Sequence, residues 1–327
     1  MEKLTIGAND AGQRLDKFLT KTFRNLPKSQ MYKFIRTKKI KVNRKRAEIG
    51  QMLVENDTVE LFLPPEFLER EQSGELFKNI KPAFRVVYED ENILICDKPV
   101  GMLSHSDKDG EKNTLIEHVK AYLWQKGEYR PEEEQSFAPA LCNRIDRNTC
   151  GIVLAAKNAE SLRVLNEKIK ERTISKFYLC RVHGIPAKKE DTLEGYLLKD
   201  GDANKVEVFT RIPKGAKGDF KKIITKYRVI GKKGDEALAE IELVTGRTHQ
   251  IRAHMASIGH PLVGDGKYAE NHADREAGKY RQALCAYRIR FEKDEPSCLD
   301  YLIGKTFSLK LEDIPFCADF LPQNRRW

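Results

Sequence analysis

The sequence predicts an α+β protein of two domains, a small basic domain at the N-terminus and a larger one built on a mixed, largely antiparallel sheet flanked by helices. Three observations support this prediction. The chain has 327 residues, a length that suggests two domains. Basic residues concentrate near the N-terminus, and a stretch without periodicity that is typical of a linker follows them. Beyond it, strand-like segments outnumber helical ones without strict alternation, which argues against a doubly wound parallel sheet.

Composition narrows the class of protein. The chain carries 59 basic and 49 acidic residues, a formal net charge of +10, and 40% hydrophobic residues, enough for a real core. No apolar run approaches the roughly 18 residues that span a bilayer, and the N-terminus lacks the apolar stretch of a signal peptide. The seven cysteines are scattered without a Cys-x-x-Cys pair. These features predict a reduced, cytoplasmic protein with no disulfide framework, zinc site or membrane segment, whose partner is an anionic polymer.

The basic N-terminal segment predicts two helices followed by a hairpin. Thirteen Lys or Arg residues and a single acid, Asp16, lie within residues 14–46. Apolar residues recur there at helical spacing, first as Leu15, Phe18 and Leu19 and then as Met31, Phe34 and Ile35. Ser29 is placed to cap the second helix, and residues 40–43 have the pattern of a short strand that enters a turn. A merely solvated helix would carry both signs of charge, so this basic face predicts nucleic-acid binding.

The larger domain shows eight strand-like segments and two clear helical periods. The strand-like segments are residues 84–88, 92–96, 152–156, 175–183, 191–198, 204–211, 221–230 and 236–244. The acidic residues 89–91 separate the first two as in a hairpin. The helical periods cover residues 114–126 and 158–172. Asn158 is placed to cap the second helix, whose apolar face consists of Leu162, Leu165 and Ile169.

Residues 143–151 carry the strongest chemical signal of the chain. They place Asp146 between Arg144 and Arg147, immediately before the apolar run 152–154, which predicts a buried strand. Flanking guanidinium groups favour the ionised carboxylate that a nucleophile needs. The alternative is an exposed ion pair in a surface turn, which is the common interpretation of an isolated Arg-x-Asp. Only the surroundings of Asp146 can decide between the two.

Residues 246–254 predict a strand end followed by a helix that carries polar residues. Thr248 is placed to cap this helix, on which an apolar stripe faces the core, formed by Ile251, Met255 and Ile258. Arg252 lies beside the stripe, so its guanidinium is expected to be partly buried and to need an anion, for which Asp146 is a candidate. His249 and His254 are about 140° apart on such a helix, a poor geometry for sharing a metal ion, so no metal site is expected.

Two sets of motifs resemble known families. Asp97-Lys98-Pro99-Val100-Gly101, the Arg-x-Asp-x-x-Thr-x-Gly centre at 144–151, Lys176-Phe177-Tyr178 and the segment 246–254 resemble, in this order, the four signatures of the RluA-type RNA pseudouridine synthases. Near the N-terminus, segments at 14–16, 27–29 and 40–43 are similar to the alpha-L RNA-binding domain. Together they imply an alpha-L RNA-binding domain at residues 1–63, a linker at 64–83 and a pseudouridine synthase catalytic domain at 84–327, as in the RluC and RluD branch.

The resemblance implies a chemistry and a set of catalytic residues. The enzyme would isomerise specific uridines to pseudouridine in structured RNA, with Asp146 as the nucleophile at the ribose or as the group that starts an elimination. Arg252 would pair with this carboxylate and keep it ionised, and Tyr178 would stack on the uracil. Arg144 would fill the gap left by the extruded nucleotide. The reaction needs no cofactor or metal.

The resemblance also implies the partner. Large-subunit ribosomal RNA is the favoured substrate, while transfer RNA, or a catalytically silent role in RNA binding or ribosome assembly, are the alternatives. The expected RNA contacts come from Lys28, Arg36, Lys38, Lys39, Arg44, Lys45 and Arg46 in the N-terminal domain and from Arg247, His249 and Gln250 in the catalytic domain. Nothing indicates more than a monomer.

Two residues depart from the family pattern. Asn143 stands where a His is usual, and Cys150 stands where a Ser is usual. Asn143 is interpreted as a support of the loop.

Overall fold

The N-terminal part of the chain folds into two helices and a small antiparallel sheet. The computed structural model describes residues 1–69, 76–107, 110–199, 205–270 and 272–320, and the elements given below belong to these ranges. In the N-terminal part they are β1 (Glu2–Thr5), α1 (Leu15–Thr22), α2 (Lys28–Arg36), β2 (Ile40–Val42), β3 (Lys45–Arg46) and β4 (Thr58–Leu61). The four strands pair antiparallel in the order β1-β4-β2-β3.

The predicted apolar faces of α1 and α2 form the core of this unit. Their six predicted core residues are all buried together with residues from β2 and β4. The predicted cap of α2 is wrong, because Pro27 occupies the N-cap position and makes no side-chain cap bond, whereas Ser29 lies inside the first turn and is exposed. A proline with φ near −61° is already suited to enter a helix, so no capping hydroxyl is required.

A tight hairpin turn presents the basic residues between β2 and β3. Val42 pairs with Lys45, which leaves Asn43 and Arg44 as the two turn residues, with φ of +50° and +64°. Both central residues of such a turn need positive φ, and Asn tolerates this conformation better than most residues. The turn therefore projects Arg44, Lys45 and Arg46 into solvent.

The larger domain is built on one long mixed sheet, as predicted. Its strands are β5 (Arg85–Glu89), β6 (Ile93–Lys98), β7 (Ala140–Leu141), β8 (Cys150–Ala156), β9 (Ile174–His183), β10 (Glu190–Lys199), β11 (Val206–Phe209), β12 (Lys221–Lys233), β13 (Glu236–Leu243), β14 (Leu284–Phe291) and β15 (Thr306–Ser308). The main order is β11-β10-β12-β13-β9-β14-β8-β6-β5, with β7 on β8 and β15 on β14. Every pairing is antiparallel except the short parallel one between β14 and β8.

Helices and turns cover both faces of the central strands. The helices are α3 (Leu115–Gln125), α4 (Ala159–Lys170), α5 (Gln250–Ser257) and α6 (His272–Glu276). In β8, Val153 and Ala155 join the core on one face while Ile152 and Leu154 join the core on the other. Burial on both faces explains why this strand reads as a continuous apolar run. None of the helices in the described ranges is long and apolar enough to cross a lipid bilayer.

The predicted strands and helices of this domain are present, with one omission of consequence. β14 was not predicted, yet it lies between β8 and β9 and joins the two halves of the sheet. The predicted cap of α4 is confirmed, since the side chain of Asn158 accepts a hydrogen bond from the Ser161 N–H at 2.8 Å. Ile258 does not extend the apolar stripe of α5, because it lies at the C-cap and is 36% exposed.

The segment interpreted as a linker contains two short 3₁₀ turns, Pro65–Phe67 and Leu76–Asn79. Residues 70–75, which include several of the acidic and small residues on which that interpretation rested, lie outside the described ranges. Phe77 is 2% exposed and packs against Trp124 and Tyr129 of the larger domain, with ring centroids 6.4 and 5.8 Å apart. The second 3₁₀ turn thus belongs to the packing of the larger domain.

Polar contacts join the N-terminal unit to the larger domain. The Asn9 side chain donates to Glu134 Oε1 at 2.8 Å and accepts from the Ala159 N–H at 3.0 Å, the first N–H of α4. Asp10 is 3% exposed and accepts from the backbone N–H and the hydroxyl of Ser136. These bonds hold the loop before α1 against the start of α4.

Gly151 makes the junction of β8 and β14 possible. Its φ is +110°, and a Cβ at this position would lie 2.2 Å from the carbonyl oxygen of Ala286. Ala286 is paired with Gly151 on one side and with Tyr178 on the other. The absence of a side chain at residue 151 therefore brings the loop that carries Asp146 to within one strand of Tyr178.

This junction predicts a large cost for Gly151→Ala. The new Cβ would force the β14 backbone away and strain a positive φ, so we expect the free energy of unfolding to fall by more than about 2 kcal/mol, measured by urea denaturation. Gly234→Ala is the matched control, because Gly234 also has a positive φ of +58° but no heavy atom within 4 Å of a new Cβ. It should cost about 1 kcal/mol, the strain of a left-handed backbone at a residue that has a Cβ. Equal losses in the two variants would contradict the proposed role of the junction.

Candidate active site

Asp146 lies in the loop that precedes β8 and opens into a cavity of about 290 Å³. Three segments line this cavity together: the loop of residues 142–149, the start of β9 and residues 246–252 at the start of α5. Asp146 keeps 26% of its side chain exposed. The carboxylate is thus accessible from solvent while its surroundings are largely protein.

Arg252 is the charged partner of Asp146, as the sequence suggested. Its Nη1 donates to Asp146 Oδ2 at 3.2 Å. A second carboxylate, absent from the sequence predictions, holds the other edge of the guanidinium, since Nε and Nη2 donate to the two oxygens of Asp265 at 2.7 and 2.8 Å. Burial lowers the pKa of Arg252, but the hydrogen bonds and charges of Asp265 and Asp146 outweigh this and raise it above its ordinary value. The charge of Arg252 is therefore permanent.

His249 approaches the same carboxylate oxygen. Its Nε2 lies 3.8 Å from Asp146 Oδ2, and its Nδ1 is 2.9 Å from the hydroxyl of Tyr268. Burial lowers the pKa of His249 to about 4, although the charge of Asp146 acts in the opposite direction. The Tyr268 oxygen also accepts from the Val206 N–H at 3.1 Å. When Tyr268 donates to Nδ1, the proton of the neutral imidazole lies on Nε2 and faces Asp146.

Lys176 and Tyr178 reach the cavity from one face of β9, because residues two apart on a strand point the same way. Tyr178 is 6% exposed, and burial followed by the charge of Asp146 raises the pKa of its hydroxyl. Burial and the nearby Arg172 lower the pKa of Lys176. No ion pair or hydrogen bond joins the Lys176 ammonium to another described residue. The cavity thus contains a desolvated cation that lacks an anion.

The arginines next to Asp146 in the sequence do not pair with it. Arg147 Nη2 lies 3.3 Å from Asp107 Oδ2 and 3.7 Å from Glu111 Oε2. Arg144 is exposed and lines the rim of the cavity. The interpretation that neighbouring arginines hold Asp146 ionised is therefore corrected: this contact comes from Arg252, 106 positions away.

The start of α5 differs from the predicted one. The helix begins at Gln250, one residue later than a Thr248 cap would require, and its N-cap is His249 in the left-handed conformation with φ of +54°. This backbone turn directs the imidazole toward Asp146. Thr248 and Arg247 remain exposed at the mouth of the cavity.

Gln250 is placed differently from its predicted role in RNA contact. It is 2% exposed. Its Oε1 accepts from the Thr245 hydroxyl and the Arg247 N–H, and its Nε2 donates to Ile224 O and Thr225 Oγ1. All four hydrogen-bonding positions of the amide are occupied within the protein. The prediction of an RNA contact is corrected, since Gln250 holds the turn before α5 against β12.

Lys98 ties two segments of the site together. It is 0% exposed, and its Nζ donates to the carbonyls of Pro99, Met102 and Arg147 at 3.0, 2.7 and 3.2 Å. Burial lowers the pKa of Lys98 to about 8. The turn of residues 97–101, interpreted from sequence as a structural corner, is thereby fixed to the loop one residue beyond Asp146.

The two departures from the family pattern occupy supporting positions. Asn143 Oδ1 accepts from the Leu154 N–H at 2.8 Å, which ties the loop of Asp146 back to β8. Cys150 pairs with Cys285 across the parallel contact of β8 and β14, and its Sγ lies 3.7 Å from the Leu284 carbonyl. Neither residue contacts the Asp146 carboxylate through a hydrogen bond.

The sequence predictions did not include Asp265, Tyr268 or the fact that none of the described residues pairs with Lys176. Lys176 was part of a quoted motif, and its position two residues before Tyr178 was the signal that both face the cavity. Asp265 and Tyr268 follow a glycine in a segment without periodicity, so the sequence contained no comparable signal for them. The expected RNA contacts of the N-terminal unit are all exposed: Lys28, Arg36, Lys38, Lys39, Arg44, Lys45 and Arg46.

Comparison with known proteins agrees with both resemblances. Residues 92–257 match the family described as RNA pseudouridylate synthase, and residues 13–59 match the S4 domain. The ribosomal large subunit pseudouridine synthase C of Vibrio parahaemolyticus is 32% identical over 93% of this chain and 92% of its own length. The protein of the same description from Haemophilus ducreyi is 33% identical over 88% of this chain and 87% of its own length.

Solved structures share the fold. Human RNA pseudouridylate synthase domain containing 1 matches with a TM-score of 0.52 and 22% identity, over 72% of this chain and 94% of its own. Human RNA pseudouridylate synthase domain containing 4 matches with a TM-score of 0.53 and 17% identity, over 69% and 87% of the two chains. At this level of identity the likeness concerns the fold alone.

The imidazoles of His249, at the N-cap of α5, and of His254, within α5, predict a defined pH response of stability. Burial lowers the pKa of both His249 and His254 from 6.5 to about 4, so between pH 6.5 and 4 the unfolded chain binds more protons than the folded one. The free energy of unfolding should therefore decrease as the pH falls through this window. NMR titration of the imidazole resonances should show both rings neutral at pH 5.5. Protonation of either ring near pH 6.5 would contradict the assignment.

Proposed function

Because the chain belongs to the RNA pseudouridylate synthase family and is an RNA pseudouridine synthase, we propose that it isomerises uridines of large-subunit ribosomal RNA with Asp146 as the nucleophile. The observation that carries the catalytic assignment is the contact between Asp146 and the buried Arg252 in a cavity that Tyr178 also lines. The proposed RNA follows from the names of relatives that match most of this chain.

The carboxylate is suited to attack because only one of its oxygens is engaged. Arg252 donates to Oδ2, and none of the described residues donates to Oδ1. Oδ1 can therefore attack the anomeric carbon of the ribose, which breaks the bond to N1 of uracil and releases the base as an anion. The base then turns, its C5 bonds to the anomeric carbon, and Asp146 leaves as a carboxylate. Loss of the C5 proton and protonation of N1 complete an isomerisation that consumes no other reagent.

Tyr178 and His249 flank the position of the base and sugar. The ring of Tyr178 offers a flat surface for uracil, and its raised pKa keeps the hydroxyl protonated during turnover. His249 is neutral at physiological pH, so it leaves the negative charge of Asp146 uncompensated on that side. The permanent positive charge beside the Asp146 carboxylate is therefore that of Arg252.

The target nucleotide has to leave its helix, because its sugar cannot otherwise reach a carboxylate at the base of a cavity. Unstacking costs a few kcal/mol. Arg144 is exposed at the rim, where its guanidinium can fill the space that the nucleotide vacates. Lys176 and Arg247 line the mouth and can bind the phosphates that flank the target, which supplies the missing anion of Lys176.

The N-terminal domain, proposed to extend over residues 1–63, grips structured RNA through phosphates. Its basic side chains project from the ends of α2 and from the turn between β2 and β3, and all of them are exposed. The sequence 64–83 would then connect it to a catalytic domain at 84–327. We further propose that the enzyme is monomeric and acts in the cytoplasm, where ribosomal RNA is modified.

Asp146→Asn should abolish the reaction in cells. Pseudouridine mapping of total RNA from cells without the gene should reveal missing sites in large-subunit ribosomal RNA that the wild-type gene restores and Asp146→Asn does not. An amide cannot attack or carry the charge that Arg252 stabilises. The variant should still bind RNA within about threefold of the wild type, because Asp146 contributes no phosphate contact.

Two outcomes would contradict this proposal. Restoration of the sites by Asp146→Asn would remove Asp146 as the nucleophile. Missing sites in transfer RNA, with ribosomal RNA unchanged, would assign the enzyme to the other substrate class. Arg147→Gln is the matched control, since Arg147 neighbours Asp146 in sequence but pairs with Asp107 and Glu111; it should restore the sites.

Replacing the basic turn should weaken RNA binding in a salt-dependent way. In the variant Arg44→Gln, Lys45→Gln and Arg46→Gln, we expect the slope of log K against log salt to decrease by about 2, since each lost phosphate contact contributes roughly 0.7 to 0.9. Binding to a structured ribosomal RNA fragment at several salt concentrations measures this slope. A control with Lys170→Gln and Lys310→Gln removes exposed lysines of the larger domain. An equal slope for the turn variant and the wild type would exclude the turn as a phosphate contact.

A further inference from the structure

The guanidinium of Arg252 donates two hydrogen bonds to one carboxylate and one hydrogen bond to another. Its Nε and Nη2 form a bidentate pair with Asp265 at 2.7 and 2.8 Å, whereas Nη1 alone contacts Asp146 at 3.2 Å. Bidentate pairing along one edge is the stronger and more directional arrangement of an arginine and a carboxylate. The firmer contact of Arg252 is thus with the residue that does not face the cavity.

Asp265 is itself fixed by its own turn. It is 0% exposed, and its Oδ1 accepts from the Lys267 and Tyr268 N–H groups at 3.0 and 3.4 Å. The hydrogen bonds and charge of Arg252 lower the pKa of Asp265 even though burial acts in the opposite direction. Asp265 is consequently an anion held in place, and it can orient a guanidinium.

The turn that carries Asp265 is braced from the other side. Gly264 has a φ of +76°, and a Cβ there would lie 2.2 Å from the carbonyl of Arg281, so the backbones are in close contact. The Gly264 N–H donates to Asp274 Oδ2 at 2.7 Å, and the same oxygen lies 2.9 Å from His183 Nε2. α6 and the end of β9 therefore prevent the turn from following Arg252 if the guanidinium moves.

The face of the guanidinium is also covered. The ring centroid of Tyr268 lies 5.2 Å from Arg252 Cζ, a distance at which an arginine is attracted to an aromatic face. Asp265 on one edge and Tyr268 on one face leave the Nη1 end of the guanidinium for Asp146. Rotation of Arg252 that brings its Nε edge to Asp146 would break both hydrogen bonds to Asp265.

We propose that Asp265 is a positioning residue for the isomerisation: by occupying the Nε and Nη2 edge of Arg252, it limits Asp146 to one ionic contact and keeps Asp146 Oδ1 available for the ribose. This inference rests on the proposed role of Asp146 as the nucleophile. A bidentate Arg252 would engage both oxygens of Asp146, and the attacking lone pairs would have to break a hydrogen bond in every turnover. A single contact stabilises the charge and leaves the reacting oxygen free.

The test is Asp265→Asn, assayed with the RNA substrate identified by mapping. The amide keeps the shape of the side chain but accepts only one of the two Arg252 bonds, so Arg252 should turn toward Asp146. We expect kcat to fall about 10- to 100-fold while KM and the dissociation constant for RNA stay within about twofold, because a misplacement of about 1 Å costs this order in rate and the buried Asp265 does not line the cavity. The rate is expressed per folded molecule, because a loss of folded enzyme would by itself lower the apparent kcat without changing KM.

Asp294→Asn is the matched control. Asp294 pairs with the buried Lys168 at 3.2 Å and accepts from the Thr173 hydroxyl, away from the cavity. It should lower thermal stability but leave kcat per folded molecule unchanged. A folded Asp265→Asn variant with wild-type kcat would overturn the proposal, and so would an equal loss of kcat in the Asp294→Asn control.

A measurement on the wild-type enzyme applies even if Asp265→Asn does not fold. Clamping of one edge should slow rotation about the Nε–Cζ bond of Arg252, so that NMR resolves separate Nη1 and Nη2 resonances, assigned by their loss in Arg252→Lys. A single averaged signal would overturn the proposal.

The two variants distinguish failure of this inference from failure of the proposed function. If Asp146→Asn is active, the assignment of Asp146 as the nucleophile fails. If Asp146→Asn is inactive and Asp265→Asn retains full kcat, only the role of Asp265 fails.

Discussion

The burial of the Arg252 charge is the constraint on which the arrangement of the active site depends. Arg252 is 7% exposed, and a buried guanidinium without anions would destabilise the fold by several kcal/mol. Its partners come from two segments, one 13 and one 106 positions away in sequence. The turn of Asp265, the loop of Asp146 and helix α5 therefore have to converge for the chain to fold. The same contacts that satisfy the buried charge leave the Asp146 carboxylate at the cavity with one oxygen to which none of the described residues donates, so folding also places the group that is proposed to react.

The sheet brings the remaining active-site groups to this ion pair. β14 inserts between β8 and β9, and its Ala286 is paired with both Gly151 and Tyr178. Only a residue without a side chain allows so close an approach at position 151. Lys98 then ties the loop after Asp146 to the turn that follows β6. Rigid strands thus hold the tyrosine, and hydrogen-bonded loops hold the carboxylate, within one cavity. Holding both side chains in fixed positions suits an enzyme whose groups have to be in place before a flexible nucleotide arrives.

The larger elements of the fold could be predicted from sequence, and the finer ones could not. Strands β6, β8, β9 and β13 have long apolar or β-branched runs, and helices α3 and α4 have a clear period, so local pattern was sufficient. β14 was not predicted because Arg288 and Arg290 interrupt its apolar character, and its strand state depends on the two neighbours that it joins. The caps proposed at Ser29 and Thr248 were wrong because the backbone, through Pro27 and a left-handed His249, sets those helix starts. Gln250 was assigned to RNA, but its amide is used entirely inside the protein.

The amino-acid sequence alone determined the family and the concentration of basic charge near the N-terminus, and it singled out Asp146, Tyr178 and Arg252 as the predicted site residues, because these inferences depend on residue types in a fixed order and on charges that lie close together along the chain. Tertiary structure decided how the other charges are arranged around the predicted pair of Asp146 and Arg252. Arg147, a neighbour of Asp146 in sequence, pairs with Asp107 instead. Asp265 holds the other edge of Arg252, and none of the described residues supplies an anion to Lys176. Ionic interactions depend on distance in space and on desolvation, and neither quantity exists until distant segments of the chain have packed together.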